Sequence, residues 1–148
     1  MAGETLVTVI GNLTADPELR YTATGTPVVN FTVASTPRTF DKNERRWVDG
    51  APLFLRCSLW REAAEHSADS LQKGTRVIVY GRLVQRDFET RSGERRSVIE
   101  MQVEEVGVST RFARVSAVRS NPGERFGEGS VGDADADPFE SQPSEPPF

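Results

Sequence analysis

The run Leu53-Phe54-Leu55-Arg56-Cys57-Ser58-Leu59-Trp60 constrains this chain more than any other stretch. Its alternation fits a β-strand, in which successive side chains point to opposite faces. Leu53, Leu55, Cys57 and Leu59 then share one face and read as core, whereas Phe54, Arg56, Ser58 and Trp60 share the other. Two kinds of occupant suit a face with two large rings and a guanidinium. One is a helix or partner subunit that covers the rings. The other is a single-stranded nucleic acid, whose bases stack on rings while Arg meets phosphate.

More strands flank this one. Thr5–Leu13 is β-branched and alternating, with Gly11 as a bend, and Leu19–Thr22 is a short strand between turns at Asp16-Pro17-Glu18 and Thr24–Pro27. Val28–Thr36 alternates with Val29, Phe31 and Val33 on one side until Pro37 ends it. Residues 38–52 are polar, too long for a tight turn, and read as a protruding hairpin arm with its tip at Lys42–Arg46. Arg61–Lys73 places Ala64, Ala68 and Leu71 at helical spacing and stops at Gly74. Thr75–Phe88 is a long strand with Gly81 in mid-run, Arg91–Arg95 a turn, and Ser97–Val106 a last full strand, with Thr110–Val118 a candidate extra one. Strands with glycine bends and one short helix predict an all-β fold, a five-stranded OB-fold barrel.

The long strand repeats the logic of the first. Tyr80, Arg82, Val84, Arg86 and Phe88 share a face, opposite Val77, Val79, Gly81 and Leu83. Interleaved rings and cations on two strands favour single-stranded nucleic acid over a plain protein interface. Phe40 and Trp47, with Arg38, Arg45 and Arg46, extend that surface along the arm, while Lys42 and Glu44 read as a solvated tip.

Charge divides the chain in two. Residues 1–119 carry 17 Lys and Arg against 15 Asp and Glu, whereas residues 120–148 carry one Arg against seven acids. Of the 18 cations 16 are Arg, which stacks on rings and grips phosphate in a fork; a GC-rich genome produces the same bias. The last 29 residues are rich in Gly, Pro, Ser and acids, which predicts a disordered tether spanning about 30 Å. The expected domains are thus a barrel over 1–119 and an acidic tail over 120–148.

Several classes are set aside. One cysteine, on an apolar face, permits no internal disulfide and reads as a buried thiol. The single histidine, His66, lies in the helical stretch, and the acids are scattered among arginines, so no catalytic residues, metal or cofactor are expected. No run of 18 apolar residues or secretory signal is found, which predicts a cytoplasmic protein with no membrane partner.

In the order and spacing of Val9–Leu13, Asp16–Tyr21, Gly25 with Val29–Ala34, Arg56–Trp60, Ala64–Gly74 and Val77–Leu83, the chain resembles the bacterial single-stranded-DNA-binding proteins over residues 4–112. The resemblance implies a homotetramer that wraps single-stranded DNA without sequence preference or catalysis, during replication, recombination and repair on the nucleoid. It assigns base stacking to Phe40, Phe54, Trp60 and Phe88, with Phe at 40 and 88 where the best-known members carry Trp. Arg38, Arg45, Trp47, Arg56, Arg82 and Arg86 complete the expected groove. Actinobacterial-type members use the region of residues 110–118 as an extra strand that clamps paired subunits.

The family ends in an acidic run closed by Pro-Phe, which docks on replication, recombination and repair proteins. This chain ends Glu145-Pro146-Pro147-Phe148, with a second copy of the pattern at Asp137-Pro138-Phe139. The denser acidic cluster sits at the upstream copy, and the link from barrel to tip is short. Those departures imply weaker recruitment or a specialised, short-tailed paralogue. The alternative to the whole reading is an OB-fold protein-interaction or replication accessory module with little DNA binding.

Overall fold

Gly11 and Gly81 interrupt two β-branched runs, and at both a neighbouring strand passes too close for a Cβ. Such close approach lets a small sheet bend until it meets itself. The computed structural model describes residues 2–120. Their elements run β1 (Leu6–Leu13), β2 (Glu18–Tyr21), β3 (Pro27–Ser35), β4 (Arg38–Asp41), β5 (Arg46–Asp49), β6 (Leu53–Trp60), α1 (Glu62–Ser70), β7 (Arg76–Glu89) and β8 (Arg95–Val108). Strands β1, β7, β8, β6 and β3 are neighbours in that order. β1 returns to β3 through Asn12↔Ala34 and Leu13↔Val33, which closes a five-stranded ring. β2 extends the outer edge of β3, and β4 with β5 forms a separate ribbon. Every ladder is antiparallel except β6–β8, whose connection runs through α1 and β7. The all-β barrel with one short helix is thus the OB-fold that the glycine-bent strands predicted.

Alternation fills the ring. Val29, Phe31 and Val33 of β3, Leu55, Cys57 and Leu59 of β6, Val77 and Val79 of β7, and Met101 and Val103 of β8 point inward. Burial pushes the Cys57 thiol up to about 12, so it stays protonated and inert. One expected core residue lies outside: Leu53 is 55% exposed, where β6 runs past the ring.

The helix is shorter than its periodicity suggests. Ala64 and Leu71 reach the core as expected, but α1 stops at Ser70, four residues before Gly74. Leu71 turns extended (φ −100°, ψ 151°) to bury its side chain, and its N–H donates to the Ser67 carbonyl. At the other end Arg61, at φ 67°, makes the sharp turn out of β6 directly after Trp60. Glu62 and Glu65 in the first turn suit the positive end of the helix dipole. The Tyr21 hydroxyl donates to Glu65 at 3.0 Å and ties β2 to the helix.

Two hairpins project. In the β4–β5 arm, Asp41 Oδ1 accepts the N–H groups of Asn43 and Glu44, an Asx-type turn that sets the tip. The β7–β8 hairpin closes at Glu89↔Arg95, and residues 85–89 and 95–97 are exposed on both faces. The stretch 110–118, a candidate extra strand from its sequence, forms no strand in this chain. Phe112 instead lies beside the guanidinium groups of Arg76 and Arg111, at 5.4 and 5.2 Å. The tail residues Asp137, Pro138, Phe139, Glu145, Pro146, Pro147 and Phe148 lie outside the described residues.

Candidate nucleic-acid interface

Register fixes which outward side chains meet across β6, β8 and β7. Arg56 pairs with Glu100, which pairs in turn with Val84. Ser58, Gln102 and Arg82 form the next row in the same way. Two residues in the other direction, Phe54 leads Arg56 along β6, Val98 pairs with Arg86, and Phe88 follows at the outer end of β7. Adjacent strands lie about 4.8 Å apart, so these rows make one continuous surface. Phe54 is 61% exposed and Trp60 38%; Phe88 is also open to solvent. The surface continues over β3, where Asn30 is buried beside Ser58, whose Oγ donates to Asn30 Oδ1 at 2.8 Å.

Trp60 lies at the far end. Its row is Trp60–Val28–Arg20, crossing from β6 through β3 to β2. Val28 is fully buried in that row, and Arg20 is exposed. Arg20 was not singled out from the sequence, because its place near Trp60 depends on β2 pairing with β3, which the short run Leu19–Thr22 does not reveal.

On the arm, Phe40 and Trp47 are a cross-strand pair with ring centroids 5.6 Å apart, edge to face at 70°. Trp47 is 58% exposed, more than Trp60, so it offers a ring face as well as a groove wall. Arg38 is engaged on the arm: its Nη2 donates to the Trp47 carbonyl at 3.2 Å and its Nε lies 3.5 Å from Asp49. Arg45, at φ 55°, occupies the tip. Arg45, Arg56 and Arg82 make no salt bridge among the described residues.

Arg86 differs. Its Nε and Nη2 donate to the two Glu100 carboxylate oxygens at 3.3 and 2.7 Å, and its guanidinium carbon sits 5.4 Å from the centre of the Phe88 ring. Glu100 is almost wholly buried. The Arg86 hydrogen bonds hold its carboxyl below the usual carboxylate range; desolvation opposes them, and the charges of Arg86 and Arg56 add to the lowering. A depressed carboxyl contributes stability that is present above its unfolded pKa and lost as pH falls through its folded one. Glu100→Gln is therefore expected to lower the melting temperature at pH 7 by a few degrees, about 1 kcal/mol, because Arg86 is half exposed. That gap should narrow only as pH falls below the ordinary carboxylate range, through the lowered value of the folded state. Thermal melts from pH 7 to 3 check it, and a gap constant with pH contradicts the ion pair's part in stability.

Among the described residues no group of three or more His, Cys, Asp or Glu could hold a metal ion, and no helix is long and apolar enough to cross a membrane. His66 is exposed on α1.

The sequence profile of the single-strand binding protein family matches residues 5–109, the barrel and both hairpins. The chain belongs to that family. Its relatives include actinobacterial members: a single-stranded DNA-binding protein of Paenarthrobacter aurescens is 58% identical over 132 residues, which cover 89% of this chain and 77% of the relative. That of Mycobacterium tuberculosis is 58% identical over 130 residues, 88% of this chain and 79% of the relative. The single-stranded DNA-binding protein 2 of Streptomyces coelicolor is 56% identical, over 82% of this chain and 61% of the relative. Among solved structures, the small single-stranded DNA-binding protein from Streptomyces coelicolor superposes with a TM-score of 0.64 at 30% identity, over 73% of this chain and 96% of that one.

Proposed function

We propose that this member of the single-strand binding protein family binds single-stranded DNA without sequence preference and without catalysis, in the cytoplasm on the nucleoid. The observation that carries the reading is the continuous outward face on which Phe54, Trp60 and Phe88 are interleaved with Arg56 and Arg82, with Arg86 beside the Phe88 ring. Rings accept bases by stacking whatever their identity, and Arg meets the phosphates between them. Phe40 and Trp47 on the arm stack further bases, Arg45 at its tip and Arg38 at its base line the path, and Arg20 meets the strand beside Trp60. The names of the relatives, all single-stranded DNA-binding proteins, support the same reading.

The working unit is a homotetramer. Two features suit association: Leu6, Ile10, Ile78 and Tyr80 expose apolar surface on β1 and β7, and β1 meets β3 only at Asn12 and Leu13. The rest of that strand edge has backbone groups to offer a second copy. Residues 110–118 form the clamp strand between paired subunits. The tail, residues 120–148, recruits replication, recombination and repair proteins through Asp137-Pro138-Phe139 or Glu145-Pro146-Pro147-Phe148.

Titration with oligo(dT), followed by Trp47 and Trp60 fluorescence, tests the function. Strong quenching that weakens with salt is expected, with far weaker binding to duplex DNA, whose bases hide their faces. No quenching at low salt overturns DNA binding and leaves the protein-interaction module. In the same titration, a chain cut after Ser120 should bind more tightly at low salt, because the tail's net charge of −6 no longer competes for the basic face. Equal affinity of the two counts against that competition.

A further inference from the structure

A buried carboxylate in the middle of a surface meant for phosphate calls for an explanation, because it repels the ligand and a half-exposed ion pair adds only modest stability in return. Glu100 is that carboxylate. Across the strands it faces Arg56 on β6 and Val84 on β7, and along β8 it is flanked by Val98 and Gln102. Arg86, paired with Val98 one row away, reaches diagonally to it and spends Nε and Nη2 on its two oxygens. The same guanidinium lies against the Phe88 ring. One guanidinium is thus held between a buried acid on one side and a ring on the other. The cluster of Arg56, Arg86 and Glu100 carries one net positive charge where its two arginines alone would carry two.

We propose that Glu100 is a positioning residue that withdraws Arg86 from phosphate binding and sets it to orient the Phe88 ring. The inference rests on the DNA-binding reading above and sharpens it: Arg56 and Arg82 meet phosphate, while Arg86 holds a stacking ring. Its consequence is a strand held with fewer released counterions, less sensitive to salt and easier to displace.

The salt dependence of oligo(dT) affinity reads this out, and a purely structural role for Glu100 does not move it. Glu100→Gln keeps the shape and removes the charge that holds Arg86. The plot of log affinity against log salt is then expected to steepen by about 0.7 for each further phosphate neutralised, with tighter binding at low salt. The double variant Arg86→Gln, Glu100→Gln is charge-neutral relative to the wild type and should return the slope to the wild-type value. It decides the matter alone where the single variant fails to fold. A double variant shallower by about 0.7 means that Arg86 does bind phosphate, which overturns the proposal. So does an unchanged slope in a folded Glu100→Gln protein. Wild-type protein that binds no oligo(dT) overturns the DNA-binding reading and this inference with it, so the two failures are distinct.

Discussion

Replacing Phe54 and Trp60 together by alanine is expected to weaken oligo(dT) binding by about 2–6 kcal/mol, a loss of about 30-fold to about 20,000-fold. Each stacked base contributes about 1–3 kcal/mol. The two rings point outward from the same strand six residues apart, about 20 Å, so their losses should add. Neither ring belongs to the buried cluster that fills the barrel, so the double variant should keep its fold. Trp60 carries more risk of the two, since it lies in register with the buried Val28. Phe54, more open than Trp60 or Phe88, is the cleaner probe. Fluorescence anisotropy of a labelled oligo(dT), with melting curves as the control for folding, measures both. A folded double variant within threefold of wild-type affinity would remove stacking on β6 from the mechanism.

Alternation along β6 revealed this site because the strand crosses the barrel wall with one face packed. Leu55, Cys57 and Leu59 are inside, and Phe54, Arg56 and Trp60 are outside, as a period of two requires. The same rule misplaced Leu53, whose strand runs beyond the ring, where neither face is covered. It also gave no sign that Val28 and Asn30, on the face of β3 away from the core, are buried. Their burial depends on β2 and β6 flanking β3, and partners distant in sequence leave no periodic trace.

The roles within the site were less legible than its membership. Arg82 and Arg86 look alike along β7, on one face with only Val84 between them. Only the register of β7 with β8 brings Glu100 within reach of Arg86 and leaves Arg82 beside Gln102. The resemblance names Phe40 as a stacking ring and leaves Trp47 to the groove, yet the two are paired edge to face and Trp47 is more exposed than Trp60. The helix shows a related limit: composition marked its existence, but the burial of Leu71 decided where it stops.

Gly81→Ala is expected to destabilise the barrel by about 3 kcal/mol, the upper end of the usual penalty for overpacking. An added Cβ would run into the Gln102 carbonyl, with Val103 Cα at 2.8 Å. Both obstacles are backbone, so no rotamer change relieves them. β8 would have to move at the irregular step where the register passes from Tyr80↔Glu105 to Gly81↔Val103. Met101 and Val103, on that same strand, are core residues, so the shift would reach the packed interior. For a domain of this size about 3 kcal/mol lowers the melting temperature by about 10 °C. Gly93→Ala is the comparison: at φ 90° in the hairpin tip, its Cβ would meet nothing within 4 Å. It should cost only the left-handed strain of a side chain, about 1 kcal/mol. Melting curves at one protein concentration give the ranking, because association makes the midpoint depend on concentration. Should Gly81→Ala melt no lower than Gly93→Ala, close approach of β8 at this glycine is not what shapes the barrel.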